Sequence, residues 1–431
     1  MIRDRENVVR ALVDWNFWAK EQFTGVPRRY AEELLRLMET GLAVDLVGVK
    51  RSGKSTVINQ AVKRLIESGV DPKATLIVNF EDPRLGEVDS GEDLFELLSI
   101  YRQLTGHKGK PYVFLDEVQK VRDWEGFVRS VVDRKEALVA VTGSTRLFKR
   151  GRTSEALSGR HVSLEITPLS FVEFLEFKGV RIRGELEAIA REDEVKGLLL
   201  EYLRFGGFPL VVQAKDEETK TRILLQLYDD IITKDVIEAC RIRATKDVRE
   251  LSLFYVTNVG NRVSFRSVSN SLGIPISTAL RLTECLSDSM LVYFVPPLSP
   301  KLKEMVKGEK KVYVVDSGLS NVVGFRLNES LGSLLENAVY MELRRRYGEN
   351  SIYYYRGRNE VDFVIVRDNE VKVVYQVAFR YVDRETKGLK ELRRRKEVPS
   401  YVITFDEEGE RDGFRLLKAW KWFLNMYNEG V

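Results

Sequence analysis

Residues 48–55 limit what this chain can fold into more than any other part of its sequence does. Their order, GVKRSGKS, is a full match to the phosphate-binding pattern G-x-x-x-x-G-K-[ST]. The apolar run Ala43–Val47 precedes them and is typical of a buried strand, and the residues from Thr56 onward have the apolar spacing of a helix. A strand, a glycine loop and a helix in this order direct backbone N–H groups and the positive end of the helix at phosphate oxygens. The sequence therefore predicts an α/β domain that binds a nucleotide.

Each residue of the loop has an expected role. Gly48 and Gly53 permit the backbone torsions that turn the N–H groups inward. Lys54 is expected to reach the β- and γ-phosphates, and the Ser55 hydroxyl is expected to bind Mg²⁺. The other predicted nucleotide-binding residues of this segment are Val49, Lys50, Arg51, Ser52 and Thr56. The predicted cofactors are therefore ATP and Mg²⁺.

A carboxylate pair follows a second apolar strand, residues 112–115. Asp116 is expected to hold Mg²⁺, and Glu117 to act as the general base that orients and polarises the attacking water. An acidic pair after an apolar strand is common by itself, but it is specific when it follows a phosphate loop. We therefore expect an enzyme that hydrolyses ATP to ADP and phosphate.

A third apolar strand, residues 137–141, ends in Thr142-Gly143-Ser144. In phosphate-loop proteins that carry an additional catalytic Glu, this strand lies between the other two, so a polar residue at its end falls near the γ-phosphate. Ser144 is the first catalytic candidate and Thr142 the second. A simple capping or turn role is the alternative for either residue.

Further motifs carry a resemblance over nearly the whole chain from about residue 40. They are NFEDPR at 79–84, LDEVQ at 115–119 with Trp124, TGS at 142–144, SGR at 158–160, PLSF at 168–171 and GGFP at 206–209. Together they resemble a family of AAA-plus-type P-loop ATPases, common in archaea and bacteria. In that family a winged helix and a restriction-endonuclease-like domain of the PD-(D/E)xK type form the C-terminal half.

The resemblance implies that Arg160 acts in trans and completes the site of a neighbouring subunit by stabilising transition-state charge. Arg146 competes for this role, and a surface salt bridge is the alternative for both residues. An arginine that acts in trans requires a homo-oligomer, either a ring or a dimer.

The predicted fold class is α/β with five parts. Its P-loop core is a parallel sheet with an extra strand between the Walker A and Walker B strands. The predicted parts are an N-terminal helical extension (1–40), the ATPase core (41–170), a helical lid (171–245), a winged helix-turn-helix (246–318) and a restriction-endonuclease-like domain (319–431). The aromatic residues Trp15, Phe17 and Trp18 are expected to pack on the core; a contribution to the adenine pocket is the alternative.

The winged-helix prediction rests on residues 264–315. Ser264 is a good helix N-cap, Gly273 makes a turn, and a second amphipathic helix follows. We expect the second helix to expose Ser277, Thr278, Arg281 and Thr283, and the following hairpin to carry four lysines between 301 and 310. DNA binding would then be mainly electrostatic and weakly sequence-specific; a winged helix that only packs between domains is the alternative.

The last part matches the nuclease pattern incompletely. Glu336 and Asp362 match its first two acidic positions, but Gln376 replaces the third carboxylate and Ala378 replaces the lysine. Gln376 could offer a carbonyl oxygen to Mg²⁺ but no charge, and without the lysine the group that would activate water is lost. We therefore expect this domain to hold nucleic acid or a partner without cutting it. The basic runs 344–346 and 393–396 are explained equally well by salt-bridged helix faces.

The composition of the chain bears on the kinds of site, partner and cellular location that can be expected. With two histidines, a His-based zinc site or catalytic triad is not expected, and a net charge of +4 neither requires nor excludes nucleic acid. Neither a signal peptide nor a membrane span is expected. Cys240 and Cys285 are expected to be buried thiols rather than a disulfide, which suits a cytoplasmic location.

The leading hypothesis is an oligomeric, Mg²⁺-dependent ATPase that acts as a motor or switch on DNA. The alternatives are an ATP-gated regulator of protein assembly without DNA binding, and an ATP-dependent nuclease.

Overall fold

The computed structural model describes residues 2–143, 156–325 and 331–427. The chain divides into two compact units, Met1–Thr167 and Pro168–Val431, and both combine helices with β-sheet. The finer boundaries proposed above within each unit stay predictions. No helix among the described residues is both long and apolar enough to cross a bilayer.

The first unit is built on a five-stranded parallel sheet with strand order β2-β3-β4-β1-β5. The strands are β1 (Ala43–Val47), β2 (Thr75–Asn79), β3 (Tyr112–Asp116), β4 (Leu138–Thr142) and β5 (His161–Glu165). Strand β4 lies between β1 and β3, so the predicted extra strand between the Walker A and Walker B strands is confirmed. The helices are α1 (Arg5–Trp15), α2 (Tyr30–Met38), α3 (Lys54–Glu67), α4 (Gly91–Thr105) and α5 (Trp124–Asp133).

The N-terminal helices pack on this sheet as expected. The Trp15 indole donates to Asp82 at 2.9 Å, and the buried Asn16 side chain exchanges hydrogen bonds with both backbone groups of Ile77 on β2. One face of α2, including Leu34 and Met38, shares a buried apolar cluster with α3 and β1. These contacts place α3, which follows the phosphate loop, in a well-packed core.

The second unit begins with a run of helices. They are α6 (Phe171–Phe177), α7 (Glu185–Ala190), α8 (Glu192–Phe205), α9 (Pro209–Val212) and α10 (Glu217–Asp230), and α10 continues as a π-helix over Ile231–Glu238. Gly206 and Gly207 form the turn after α8. A Cβ on Gly206 would collide with the Asp316 carboxylate, which accepts a hydrogen bond from Gly207 N at 2.7 Å.

A three-stranded antiparallel sheet, in the order β6-β8-β7, and five helices form the middle of the second unit. These elements are α11 (Thr245–Thr257), β6 (Arg262–Val263), α12 (Phe265–Leu272), α13 (Ile276–Asp288), β7 (Val292–Val295), α14 (Leu302–Lys307), β8 (Lys310–Val314) and α15 (Ser317–Val323). The expected exposure of Thr283 is wrong, because its hydroxyl is buried against Tyr255 and donates to Ala279 O on the preceding turn. The lysine-rich segment after β7 contains a short helix, α14, which the sequence did not predict.

The C-terminal part contains a six-stranded mixed sheet with strand order β13-β14-β12-β11-β10-β9. Its elements are α16 (Leu331–Tyr347), β9 (Ile352–Arg356), β10 (Glu360–Arg367), β11 (Glu370–Ala378), α17 (Lys387–Arg393), β12 (Ser400–Thr404), β13 (Gly409–Arg411), β14 (Phe414–Lys418) and α18 (Ala419–Phe423).

Two members of the first basic run, residues 344–346 on α16, are buried. The side chains of Arg344 and Arg345 are 4% and 3% exposed and pair with Glu349 and Glu342, so they form no nucleic-acid surface.

The expectation of free thiols is wrong. Cys240, just after the π-helix, and Cys285, on α13, form a disulfide, with Cα atoms 6.4 Å apart. Forty-five residues separate them in sequence, and only the packing of α13 against the π-helix brings them together. Spacing along the chain carries no signal for such a pairing.

Candidate functional site

The phosphate loop connects β1 to α3 and has the torsions that the motif predicts. Gly53 has φ 99° and Arg51 has φ 67°, both in the left-handed region. A Cβ on Gly48 would collide with the carbonyl oxygen of Ile166, so only glycine fits there. The loop thus turns tightly at the carboxyl end of β1, where parallel α/β sheets bind ligands.

The predicted phosphate and magnesium ligands lie together at this edge. The Lys54 ammonium donates to the carbonyl oxygens of Gly48 and Val49 at 3.0 and 3.4 Å, which holds it over the loop. The Ser55 hydroxyl lies near the carboxylate of Asp116 at the end of β3, where it lowers the pKa of that carboxyl. A hydroxyl beside a carboxylate is a donor set that suits Mg²⁺ with the phosphate oxygens of a nucleotide, so the residues fit that ion.

Thr142, the last residue of β4, contacts the acidic pair at the end of β3. Its buried hydroxyl donates to Asp116 Oδ1 and accepts from Glu117 N at 2.9 Å. Burial raises the pKa of Asp116 above its ordinary value, and the hydrogen bonds from Thr142 and Ser55 oppose that rise. Sequence reasoning ranked Thr142 second among the polar residues after β4, yet it connects both members of the acidic pair.

Glu117 adopts left-handed torsions, φ 57° and ψ 45°, directly after β3. Its carboxylate accepts a hydrogen bond from the Gln119 amide at 2.6 Å. The backbone of Glu117 is therefore held by Thr142 and its side chain by Gln119. The sequence had placed Gln119 in a motif but assigned it no contact.

Arg28 supports the loop from outside, and sequence reasoning missed it. The residue is 3% exposed, and its guanidinium donates to Ser52 O at 2.8 Å and to Thr167 O at 3.0 Å. Its backbone N–H donates to the Gln60 side chain of α3 at 3.0 Å. No local pattern marks this arginine, because its three partners are distant in sequence.

Arg160 lies at the other end of the sheet. It precedes β5, and its carbonyl accepts from Ala43 N at the start of β1, whereas the loop follows the end of β1. Five strand residues span roughly 16 Å, so Arg160 does not reach the phosphate loop of its own chain. It pairs with Asp133 at 2.7 Å and is partly exposed. Ser144 and Arg146 lie outside the described residues.

The predicted nuclease-like residues are only partly brought together. Glu336 on α16 and Asp362 on β10 both contact Lys311 of β8, at 2.8 and 2.7 Å. The Gln376 amide instead donates to Glu385 at 3.2 Å. Lys311 was not a candidate in the sequence, because it belongs to a strand assigned to the preceding domain.

A five-stranded parallel sheet that carries a phosphate loop and an acidic pair at its carboxyl edge defines a P-loop ATPase fold. In agreement with this class, the family described as an AAA domain matches residues 41–175. Two domains of unknown function follow, DUF8612 over residues 196–330 and DUF4143 over residues 331–422.

Among curated relatives, an uncharacterized protein of Methanocaldococcus jannaschii is 30% identical over 401 residues, which cover 88% of this chain and 87% of that protein. The chain belongs to the same family as this protein. An uncharacterized protein of Haemophilus influenzae is 29% identical over 402 residues, 92% of this chain and 97% of that protein.

Solved structures show weaker likeness. The Walker-type ATPase PABY2304 of Pyrococcus abyssi is 13% identical, with a TM-score of 0.45, over 69% of this chain and 95% of that chain. The ORC1 protein of Aeropyrum pernix, solved in complex with DNA, is 13% identical, with a TM-score of 0.29, over 79% of this chain and 98% of that chain. At these TM-scores the likeness bears on neither function nor partners.

Proposed function

We propose that the protein is a Mg²⁺-dependent ATPase that works as an oligomeric motor or switch. The observation that carries the proposal is the hydrogen-bonded chain from Asp116 through Thr142 to Glu117, with Ser55 and Lys54 near the Asp116 carboxylate. It supports a site in which a phosphate cradle, two magnesium ligands and a general base lie at adjacent strand ends.

The residues have distinct tasks in hydrolysis. Loop N–H groups and Lys54 bind the β- and γ-phosphates, while Ser55 and Asp116 hold Mg²⁺, which neutralises charge on the phosphates when bound. Glu117 accepts the proton of the water that attacks the γ-phosphorus, and ADP leaves. Thr142 keeps the backbone of Glu117 in place, so the base and the magnesium ligand move as one unit.

The position of Arg160 supports action in trans. Its guanidinium is far from its own phosphate loop, partly exposed, and held by Asp133. A neighbouring subunit that presents its loop to this edge would receive the positive charge that stabilises the transition state. The working form is therefore a homo-oligomer.

We further propose that residues 246–318 form a winged helix that binds DNA with weak sequence specificity. The helix α13 exposes Arg281 as its one cation, which leaves little surface for reading bases. The segment between β7 and β8 exposes Lys301, Lys303 and Lys307, which suit phosphates.

One observation favours the second candidate, an ATP-gated assembly regulator. The helix α14 exposes Leu302 and Val306 by 73% and 56%, beside these lysines. Exposed apolar side chains of this kind suit a protein partner better than a phosphate backbone.

Phosphate release and oligomeric mass, each measured with and without duplex and single-stranded DNA, test these proposals. Lys54→Ala should abolish ATP binding and turnover, and Glu117→Gln should bind ATP but hydrolyse it about 10²–10⁴-fold more slowly. A protein that binds no nucleotide in the presence of Mg²⁺ would refute the ATPase proposal.

The DNA proposal needs its own control. Lys303→Glu with Lys307→Glu should weaken DNA binding and reduce its salt dependence, since each lost phosphate contact lowers the slope by roughly 1. The matched control is Lys73→Glu, an exposed lysine in the first unit. Turnover that ignores DNA, together with binding that is the same in all three proteins, would favour the assembly regulator.

A further inference from the structure

A buried ion cluster lies where β8, α16 and β10 meet. The Lys311 ammonium is 2.8 Å from Glu336 Oε1, 2.7 Å from Asp362 Oδ1 and 3.0 Å from Glu360 Oε1. The Lys311 side chain is 2% exposed. Tyr313 OH donates to Glu336 Oε1 at 2.7 Å. Two of the three N–H donors of the ammonium bond Glu336 and Asp362, and the Glu360 carboxylate lies within ion-pair distance.

The residues present do not fit the divalent metal that a nuclease site of this type requires. A Mg²⁺ ion needs oxygen ligands at about 2.0–2.1 Å in octahedral array, whereas Lys311 Nζ already lies within 3 Å of both acids that the motif supplies. Strand β11 adds no charge, because Gln376 and Ala378 occupy the other motif positions and the Gln376 amide bonds Glu385. Over residues 2–143, 156–325 and 331–427, no three His, Cys, Asp or Glu side chains are arranged to hold a metal ion.

The same contacts join two sheets. The Asn337 side chain accepts from Val314 N at 2.9 Å and donates to Val314 O at 3.0 Å, one strand position beyond Tyr313. Arg262 of β6 pairs with Glu360 of β10 at 3.2 Å. Strand β8 is thereby held to α16 and β10 by buried, directional contacts. Separating the partners of a buried ion pair leaves an uncompensated charge. A shift of β8 relative to α16 and β10 would separate these partners, so the contacts favour one alignment of the three elements.

We infer that Lys311 is the resident cation of this carboxylate cluster: it takes the place of a catalytic metal and converts a nuclease-like site into an internal lock between the β6-β8-β7 sheet and the C-terminal sheet. The ammonium is supplied by a different element from the lysine of the motif, and it is sealed from solvent, so it cannot meet a scissile phosphate. The nuclease-like domain then serves as a rigid partner of the preceding segment. This inference does not depend on ATP hydrolysis.

Mn²⁺ binding by the full-length chain, followed by electron paramagnetic resonance without nucleotide, tests the inference. Wild type and Asp362→Asn should give the same isotherm, because the cluster holds no metal. Lys311→Met should gain one Mn²⁺ site per chain and lose it again on addition of Asp362→Asn. The melting temperature of Lys311→Met should fall below that of wild type and recover with millimolar Mn²⁺.

Two further variants keep the test decisive. Lys311→Arg preserves a cation and should fold without gaining a site, even if Lys311→Met does not fold. Lys310→Met is the matched control, because this half-buried neighbour on β8 should neither gain a site nor show recovery with Mn²⁺. A Mn²⁺ site in wild type that Asp362→Asn abolishes would overturn the inference. So would a folded Lys311→Met protein that melts like wild type or binds no Mn²⁺.

Discussion

Thr142→Val is the most direct test of the site, because it removes a hydroxyl while preserving the shape of the side chain. In the protein this hydroxyl is fully buried and serves two partners, the carboxylate of Asp116 and the backbone N–H of Glu117. Valine removes the hydrogen bond to Asp116 and leaves the N–H of Glu117 without its side-chain partner at the end of the sheet. We therefore expect a loss of stability and a misplaced general base in the same variant.

The magnitude follows from these contacts. A hydrogen bond to a charged group contributes about 1.5–3 kcal/mol, and a buried N–H left unsatisfied costs about 1–3 kcal/mol. Because one oxygen serves both partners, the two terms are not fully additive. The expected loss in the free energy of unfolding is about 2–4 kcal/mol. If the misplaced base raises the activation free energy of hydrolysis by about 1.4 kcal/mol, kcat falls about tenfold.

The assay compares Thr142→Val with Thr142→Ser, which keeps the hydroxyl and loses only a methyl group. Urea unfolding measures stability, and phosphate release under saturating ATP measures kcat. The serine variant should lie close to wild type in kcat. If valine and serine give the same kcat, the hydroxyl does not position Glu117 and the reasoning fails.

Three further predictions follow from other parts of the chain. Mixing inactive Arg160→Ala with inactive Glu117→Gln should restore phosphate release, because in a mixed oligomer one subunit supplies the arginine and its neighbour the base; mixtures that stay inactive would argue against action in trans. Burial raises the pKa of Asp316 to about 6 from 3.8, so the folded chain holds this proton more strongly than the unfolded chain. The protonated carboxyl therefore contributes fully to the stability of the fold below about pH 4, and this contribution is lost as the pH rises through about 6. The free energy of unfolding of wild type, measured relative to Asp316→Asn, should therefore fall by about 2.4 kcal/mol between about pH 4 and pH 7, and a constant difference would contradict this. Replacing Cys240 and Cys285 by alanine should lower the free energy of unfolding by about 4 kcal/mol for a crosslink that closes 45 residues, and two free thiols in the freshly unfolded wild type would show that no disulfide forms.

Short-range patterns predicted the nucleotide edge of the sheet well. The glycine loop and the strands that end at Asp116 and Thr142 follow from residues within a few positions of each other, and the structure has them. The intermediate position of β4, also confirmed, follows from the arrangement of phosphate-loop proteins that carry an additional catalytic Glu. Local patterns also predicted the two helices after Ser264. Hydrophobic period and glycine torsions are local properties, so they are visible in a single sequence.

Contacts between distant segments were not predictable in the same way. Arg28 reaches Ser52 and Thr167, and Lys311 enters a cluster of acids from another part of the chain. Thr283 and Arg344 look like surface residues in a helix pattern but are buried by neighbouring elements. For each of these four polar side chains, the packing of distant segments determines which group it contacts.

The residue pattern alone establishes a chain with a phosphate loop, an acidic pair and the strands that bring them to one edge. Folding in three dimensions decides which hydroxyl joins that pair, which end of the sheet carries Arg160, that two cysteines meet, and that a lysine fills the carboxylate cluster. The reason is physical: backbone torsion and amphipathic period depend on adjacent residues, whereas burial, charge pairing and crosslinking depend on which distant surfaces come into contact.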